Sequence, residues 1–397
     1  MNIKNTIGQG NFELVKTFCK CLLIFMSMCL SACSQSIKTE SANTTVSFDS
    51  LIKHFIENKS EVWLPMHEED TIKIEISDNP IVFELKEMIL ERSKNSKYFE
   101  FPLSFSVIYK NRLVSLFEQE GFICFSIPEM KRDIDFEKKI NTKNFQYHWI
   151  LDNKLVGISN GKYYTLNTEN VWVKYTETVP FKNRPKLFED SLYIAFCDCH
   201  GEWGGTAYFY NKKTKNIHFT EATCAKTIFK KNDTYFILSE LGHMIGNTDL
   251  KSVLNPSELP IIEPKNVGKM YIDYYKNGEF KSSMAWGCLD KSGKSNTVFD
   301  YSGMLIFSTF VYQGIEIYMV HCNERTFFAE IENNSIKIVN PLFNNDLYTH
   351  ETVTTNYDKI ILINLSTYYG GKELEKSCML IVDNQLIKVD WNRNYDY

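Results

Sequence analysis

The sequence predicts an all-β protein, a β-propeller of about six or seven blades preceded by a small helical segment. Three observations lead there. Aromatic residues make up 14% of the 397 positions, with 28 Phe and 22 Tyr, and such residues favour strands. From residue 100 onward, short runs of strand-forming residues alternate with Asn, Asp and Gly turns, and no long helical period appears. One unit also recurs, at 107–114, 149–156, 187–194 and 228–235. It is an apolar strand, a turn at Asn111, Asn153, Asp190 or Asp233, and a second strand of Leu, Val, Ile and Tyr. Its spacing matches the ~40–50 residues of a four-stranded propeller blade.

The clearest full unit spans 185–222: a strand to Phe188, a second strand over 191–198, a Gly-rich loop, a third strand over 206–210 and a fourth over 216–220. Hairpins about Asn333-Asn334 and Asp383-Asn384 close two later units, and Asn277-Gly278 marks another in the less regular stretch 241–300. Strands every 8–12 residues also fit a β-sandwich. The fourfold recurrence near 40 selects the propeller, and the chain resembles β-propeller repeat proteins in general, without a WD or Kelch signature. Upstream, Phe48, Leu51, Ile52, Phe55 and Ile56 recur at helical spacing, and 71–76 alternates like a strand. Asn79-Pro80 opens a second predicted helix as cap and first turn, its stripe formed by Ile81, Val82, Leu85, Met88 and Ile89. The expected organisation is a signal over 1–32, a tether over 33–47, a helical segment with one strand over 48–99, and the propeller over 100–397.

Lys16 and Lys20 lead into an apolar run over 21–30 that ends in Leu30-Ser31-Ala32-Cys33. A basic end, a short apolar core and small residues before a break are the parts of a secretory signal. The run is shorter than the ~20 residues of a membrane span. Its last four residues resemble the lipobox of bacterial lipoproteins. The resemblance covers only the first 33 residues, and it implies that the signal is removed and Cys33 carries the lipid. It places the protein on the cell membrane or outer membrane, facing the periplasm or the exterior, and Ser34 suits outer-membrane delivery.

Charge and cysteines narrow the partners. The formal net charge is −5, whereas nucleic-acid binding calls for a basic face, so no nucleic-acid partner is expected. Outside the signal and Cys33 stand Cys124, Cys197, Cys199, Cys224, Cys288, Cys322 and Cys378. An odd number leaves at least one thiol unpaired. Cys199, ending a second strand, and Cys224, in the connection to the next blade, come to one face of a propeller and form the candidate disulfide, with Cys197 as competing partner. Cys124, Cys322 and Cys378 lie in apolar runs, where cysteine packs as a small hydrophobe.

Gly157-Ile158-Ser159-Asn160-Gly161 has the spacing of a hydrolase nucleophile elbow, but strand-forming residues follow it and Asn160-Gly161 reads as a hairpin turn. Cys197-Asp198-Cys199-His200 offers soft metal ligands without a fourth nearby in sequence, so no metal is assigned. No phosphate-binding loop or dinucleotide fingerprint is present, and no cofactor is expected. The loops after second strands carry the candidate ligand-binding residues: His200, Glu202 and Trp203; Glu240 and His243; Tyr368 and Tyr369. Aromatic faces beside charges suit a glycan or an envelope protein. The leading functional expectation is a lipid-anchored binding or scaffold module acting through one propeller face. The alternatives are a glycan-active enzyme with carboxylates at the propeller centre, and a structural subunit of an envelope complex.

Overall fold

The structure, a computed structural model, describes residues 61–63, 71–90 and 100–392, apart from 244, 270, 277–278, 285–291, 323–324, 333–334, 343–346, 348 and 370–372. Only the backbone is described at 61–63, 71, 271–276, 279–284, 367–369 and 373–375. The signal, the tether, Cys33, the predicted helix over 48–56 and Cys288 lie outside the described residues.

The chain begins with β1 (Glu61–Trp63), β2 (Thr71–Ile76) and β3 (Glu84–Ile89), then builds six blades in order. Blade 1 holds β4 (Val107–Ile108), β5 (Arg112–Phe117) and β6 (Gly121–Ser126), and is followed by α1 (Ile134–Ile140). Blade 2 holds β7 (Tyr147–Leu151), β8 (Lys154–Ser159), β9 (Lys162–Leu166) and β10 (Trp172–Lys174). Blade 3 holds β11 (Lys186–Glu189), β12 (Tyr193–Cys199), β13 (Gly205–Asn211) and β14 (Ile217–Glu221). Blade 4 starts with β15 (Ala225–Lys231), β16 (Thr234–Leu241) and β17 (Asn247–Val253). The chain then lays β18 (Ile261–Ile262) on the edge of blade 3 and forms a hairpin of β19 (Tyr271–Lys276) and β20 (Glu279–Met284). It returns to complete blade 4 with β21 (Ser295–Ser302). Blade 5 holds β22 (Leu305–Tyr312), β23 (Ile315–Cys322), β24 (Arg325–Glu332) and β25 (Ser335–Asn340). Blade 6 holds β26 (Glu351–Tyr357), β27 (Ile360–Tyr369), β28 (Glu373–Val382) and β29 (Gln385–Asp390). The expected six or seven blades are therefore six.

The recurring turns explain why the repeat could be read. Lys110-Asn111, Asp152-Asn153 and Asn232-Asp233 all sit at φ between 47° and 64°. A two-residue turn of this hand matches strand twist, and Asn and Asp tolerate it better than other side chains. Asn160 and Gly161 do the same between β8 and β9, so Ser159 stands in a hairpin rather than at a strand-to-helix elbow.

Packing is between blades. Each of the six apolar clusters joins two neighbours; one, for example, unites Trp149 and Val156 of blade 2 with Phe196 and Tyr208 of blade 3. Side chains join blades 6 and 1. Asn364 on β27 accepts the Ser106 N–H at 2.9 Å and donates to the Ser106 carbonyl at 3.1 Å, both residues buried. Trp391, 2% exposed, packs edge-on against Phe117, with ring centres 5.3 Å apart.

Two features depart from a plain propeller. Blade 1 has three strands, and α1 covers its outer edge. Asn141, the residue capping the C-terminus of α1, accepts the Phe122 N–H and donates to the Phe122 carbonyl, each at 2.8 Å. Glu137 accepts the Cys124 N–H at 2.9 Å. These side chains satisfy the exposed strand edge as a fourth strand would.

The second departure corrects the sequence-based expectation. Residues 84–89 form a strand, not a helix. β3 lies parallel to β29 with Leu85 opposite Leu386, and β2 lies parallel to β25 with Ile74 opposite Ile336. Asn79-Pro80 turns the chain between blades 5 and 6, where Ser77 N–H donates to the Ile338 carbonyl and Ile81 N–H to the Val339 carbonyl. Val82, on the expected apolar stripe, is 78% exposed, whereas Phe83 is buried against Phe328. A short apolar run has an ambiguous period. The open edge of a finished blade offered the backbone hydrogen bonds that decided it.

Candidate functional site

First strands of neighbouring blades meet around the axis, and β26 reaches β11 and β15 as well as β22. A funnel of about 500 Å³ opens among them on the face that carries the turns between first and second strands. Five blades contribute walls, through residues that include Ile150, Phe188, Phe229, Phe310 and Tyr357.

The charges in this funnel are engaged with one another. Lys186 lies 2.7 Å from Glu189 and also donates to the Ile150 carbonyl at 2.5 Å. Lys212 donates to Asp152 and to Glu189, both at 2.7 Å. Burial pushes the Lys186 ammonium below the ordinary lysine range, although Glu189 opposes it. Burial also acts to lower Lys212, but its two carboxylate partners overcome this and raise it. Asp190 accepts the Leu192 and Tyr193 N–H groups and the Tyr235 hydroxyl. Glu316 accepts from Lys231 and from the Tyr318 hydroxyl.

The funnel floor is different. Thr227 on β15 and Thr309 on β22 are 3% and 2% exposed, and neither Oγ1 finds a hydrogen-bond partner in the protein. Both line the cavity. Buried hydroxyls are normally satisfied, and these two oxygens, each shut off from solvent, are exceptions on residues that line the cavity. Sequence reasoning missed them, because a threonine in a strand carries no local sign of facing an axis.

The residues singled out in the sequence occupy the opposite face. β12 runs from the Asp190 turn to Cys199, and a short 3₁₀ turn, Gly201–Trp203, follows. Cys199 and Cys224 are bonded there, their Cα atoms 4.4 Å apart. Gly205 allows this approach, since a Cβ on it would come within 2.6 Å of the Asp198 carbonyl and 2.7 Å of the Ala222 carbonyl. Glu202 meets His243 at 3.6 Å, joining the rims of blades 3 and 4, and Trp203 is 44% exposed. His200 lies 3.5 Å from buried Asp198, which also accepts the Thr206 N–H at 2.9 Å and the Tyr208 hydroxyl. No group of three metal-ligating side chains occurs among the described residues.

Two placements differ from expectation. Glu240 belongs to β16, 3% exposed and 3.3 Å from Lys226, because its position in the strand turns it inward to that cation. Tyr368 and Tyr369 extend β27, paired with Leu374 and Glu373, instead of forming a loop; their side chains are outside the described part. Cys124, Cys322 and Cys378 are free and buried. Burial pushes the thiols of Cys322 and Cys378 up to about 12. Cys197, also free, donates to the Ala225 carbonyl at 3.3 Å.

The Cys199–Cys224 bond gives a direct prediction. Mass spectrometry of the non-reduced protein is expected to show peptides containing the two cysteines linked. Replacing both with serine should lower stability by ~3 kcal/mol, the scale for a loop of this length. Alkylation of both thiols without reduction would sink it.

No protein-family model and no curated protein sequence matches this chain. Solved structures with a similar arrangement include the N-terminal domain of Nup159, at 9% identity and TM-score 0.35, covering 81% of this chain and 86% of that one. Another is the β-propeller domain of the Trilobed protease from Pyrococcus furiosus, at 11% identity and TM-score 0.34, covering 74% and 99%. The computationally designed Ika8 protein is a third, at 8% identity and TM-score 0.33, covering 76% and 98%.

Proposed function

We propose that this protein is an exported binding module, held to a membrane by acyl chains at Cys33, that receives its ligand in the axial funnel. The observation that carries the proposal is the funnel itself. Its volume lies within the ~300–1,000 Å³ of small-molecule sites, and five blades wall it with aromatic rings beside paired charges. A rigid ring of six blades preorganises such a pocket, since each wall strand is held by its own sheet and by the apolar layers on either side. The anchor supports an envelope setting: the Leu30-Ser31-Ala32-Cys33 ending supplies a thiol at the start of the mature chain.

Asn356 tests the binding claim. It is exposed at the funnel mouth, at the end of β26. Thermal-shift screening against a mixed library of charged, neutral and apolar small molecules should yield compounds that stabilise the wild type but not Asn356→Trp. A library that yields none refutes the binding reading. The anchor has its own check. Cys33→Ala should leave the precursor unprocessed or release the protein from membranes, because stable attachment needs more than one acyl chain. Normal processing and unchanged detergent-phase partitioning of that variant would remove the lipoprotein reading.

A further inference from the structure

We infer that a single proton on Asp249 latches the outer strand of blade 4, so that β21 is held firmly in acid and loosens as the pH rises. Geometry is the first support. Ser239 on β16, Asp249 on β17 and Asp300 on β21 stand directly opposite one another, a row across three adjacent strands. Direct cross-strand neighbours have Cβ atoms ~4.5–5.5 Å apart, and like charges so placed repel. β21 is the last strand of its sheet, and Asp249 lies on the strand that holds it there.

Burial is the second. Asp249 is 9% exposed, and its Oδ2 is shut off from solvent without a hydrogen-bond partner in the protein. An oxygen so enclosed leaves no room for a ligand or an ion, but a proton needs none. Ionised, the carboxyl is a buried charge without compensation; protonated, it is neutral. A protonated carboxyl is also a donor, and Ser239 Oγ, 1% exposed and likewise unpartnered, is its cross-strand neighbour.

The charged groups facing Asp249 do not relieve it. Lys251, two residues along β17, gives its ammonium to the Glu221 carbonyl on β14, at 2.9 Å. Asp300 accepts from Asn247 Nδ2 at 2.8 Å and remains exposed. Burial pushes the Asp249 carboxyl up to about 6; Lys251 opposes this, and Asp300 and Glu221 add to it. In the unfolded chain an aspartate ionises above ~3.9. The folded state is therefore penalised progressively as the pH rises between these values, and fully above them. Parting β17 from β21 exposes the carboxyl and releases the penalty.

Hydrogen exchange of the full chain at pH 5 and pH 7.5, corrected for intrinsic rates, tests the latch. Protection of the β17 and β21 amides should fall about tenfold between the two, the share of the Asp249 shift that lies in this interval. The amides of β22, β23 and β24 should not follow. Asp249→Asn, neutral and of the same shape, should lose no protection over this range. In urea unfolding, the ratio of wild-type to variant folding constants should fall by the same factor. Asp300→Asn, at an exposed position, should move the midpoint of the loss to lower pH, since one repelling charge is gone. Equal protection of β21 at both pH values, or an equal loss in Asp249→Asn, would overturn the latch. A loss spread evenly over all blades would overturn its location. Should Asp249→Asn fail to fold, the Asp300→Asn midpoint decides: a downward shift supports the latch and an unmoved midpoint refutes it.

Discussion

Replacing Lys226 with methionine is expected to destabilise the protein by ~3–5 kcal/mol at neutral pH, the usual loss when one member of a buried ion pair is removed. Lys226 is 5% exposed and Glu240 3% exposed, 3.3 Å apart, and the lysine also donates to the His350 carbonyl. Burial already raises the Glu240 carboxyl above its usual range despite the attraction of Lys226. Without the lysine it must rise further. A carboxyl whose folded pKa is raised weakens the fold wherever the unfolded chain would ionise it, that is, above ~4.3. The deficit should therefore be largest at pH 8 and shrink as the pH falls towards 4. Adding Glu240→Leu should restore stability to near the wild-type level, since an apolar pair carries no stranded charge. Thermal or urea unfolding at pH 4 and pH 8 reads both effects. An equal deficit at the two pH values, with no recovery in the double variant, would show that the ion pair is not the cause.

Removing the N-terminal strap should do more. A chain beginning at residue 100 lacks β2 and β3, and with them the buried side chains Ile72, Ile74, Phe83, Leu85 and Leu90. At ~2 kcal/mol for each side chain, about 10 kcal/mol of apolar burial disappears. That is comparable to the ~5–15 kcal/mol by which a folded protein exceeds its unfolded state. The truncation also bares the edges of β25 and β29, open templates for pairing with another chain. The truncated chain is expected to aggregate, whereas one beginning at Ser41 stays soluble. Sedimentation and circular dichroism compare the two. A monomeric chain from residue 100 with a near-normal melting temperature would mean the strap is dispensable.

The strap also shows where sequence and tertiary structure part. Turn residues at Asn111, Asn153 and Asp233 reveal the blade repeat, because a left-handed backbone is a local steric demand that few side chains meet. For the same reason Asn160-Gly161 identifies a hairpin, and the alternation over 71–76 identifies a strand, β2. Each of these signals is complete within a few residues. The stripe Ile81, Val82, Leu85, Met88, Ile89 is not: it fits a helix by spacing and a strand by pairing, and its partner β29 lies some 300 residues away.

By itself, then, the sequence determined an all-β chain of blade-length repeats and the positions of their tight turns. Tertiary structure alone decided the number of blades, the strand at 84–89, the burial of Glu240 beside Lys226 and the funnel with its two unsatisfied threonines. The physical reason is range. Backbone handedness and alternation are settled among adjacent residues, whereas a strand edge, a buried charge or an axial cavity exists only once segments far apart in the chain have closed the ring, as Ser106 and Asn364 do across 258 positions.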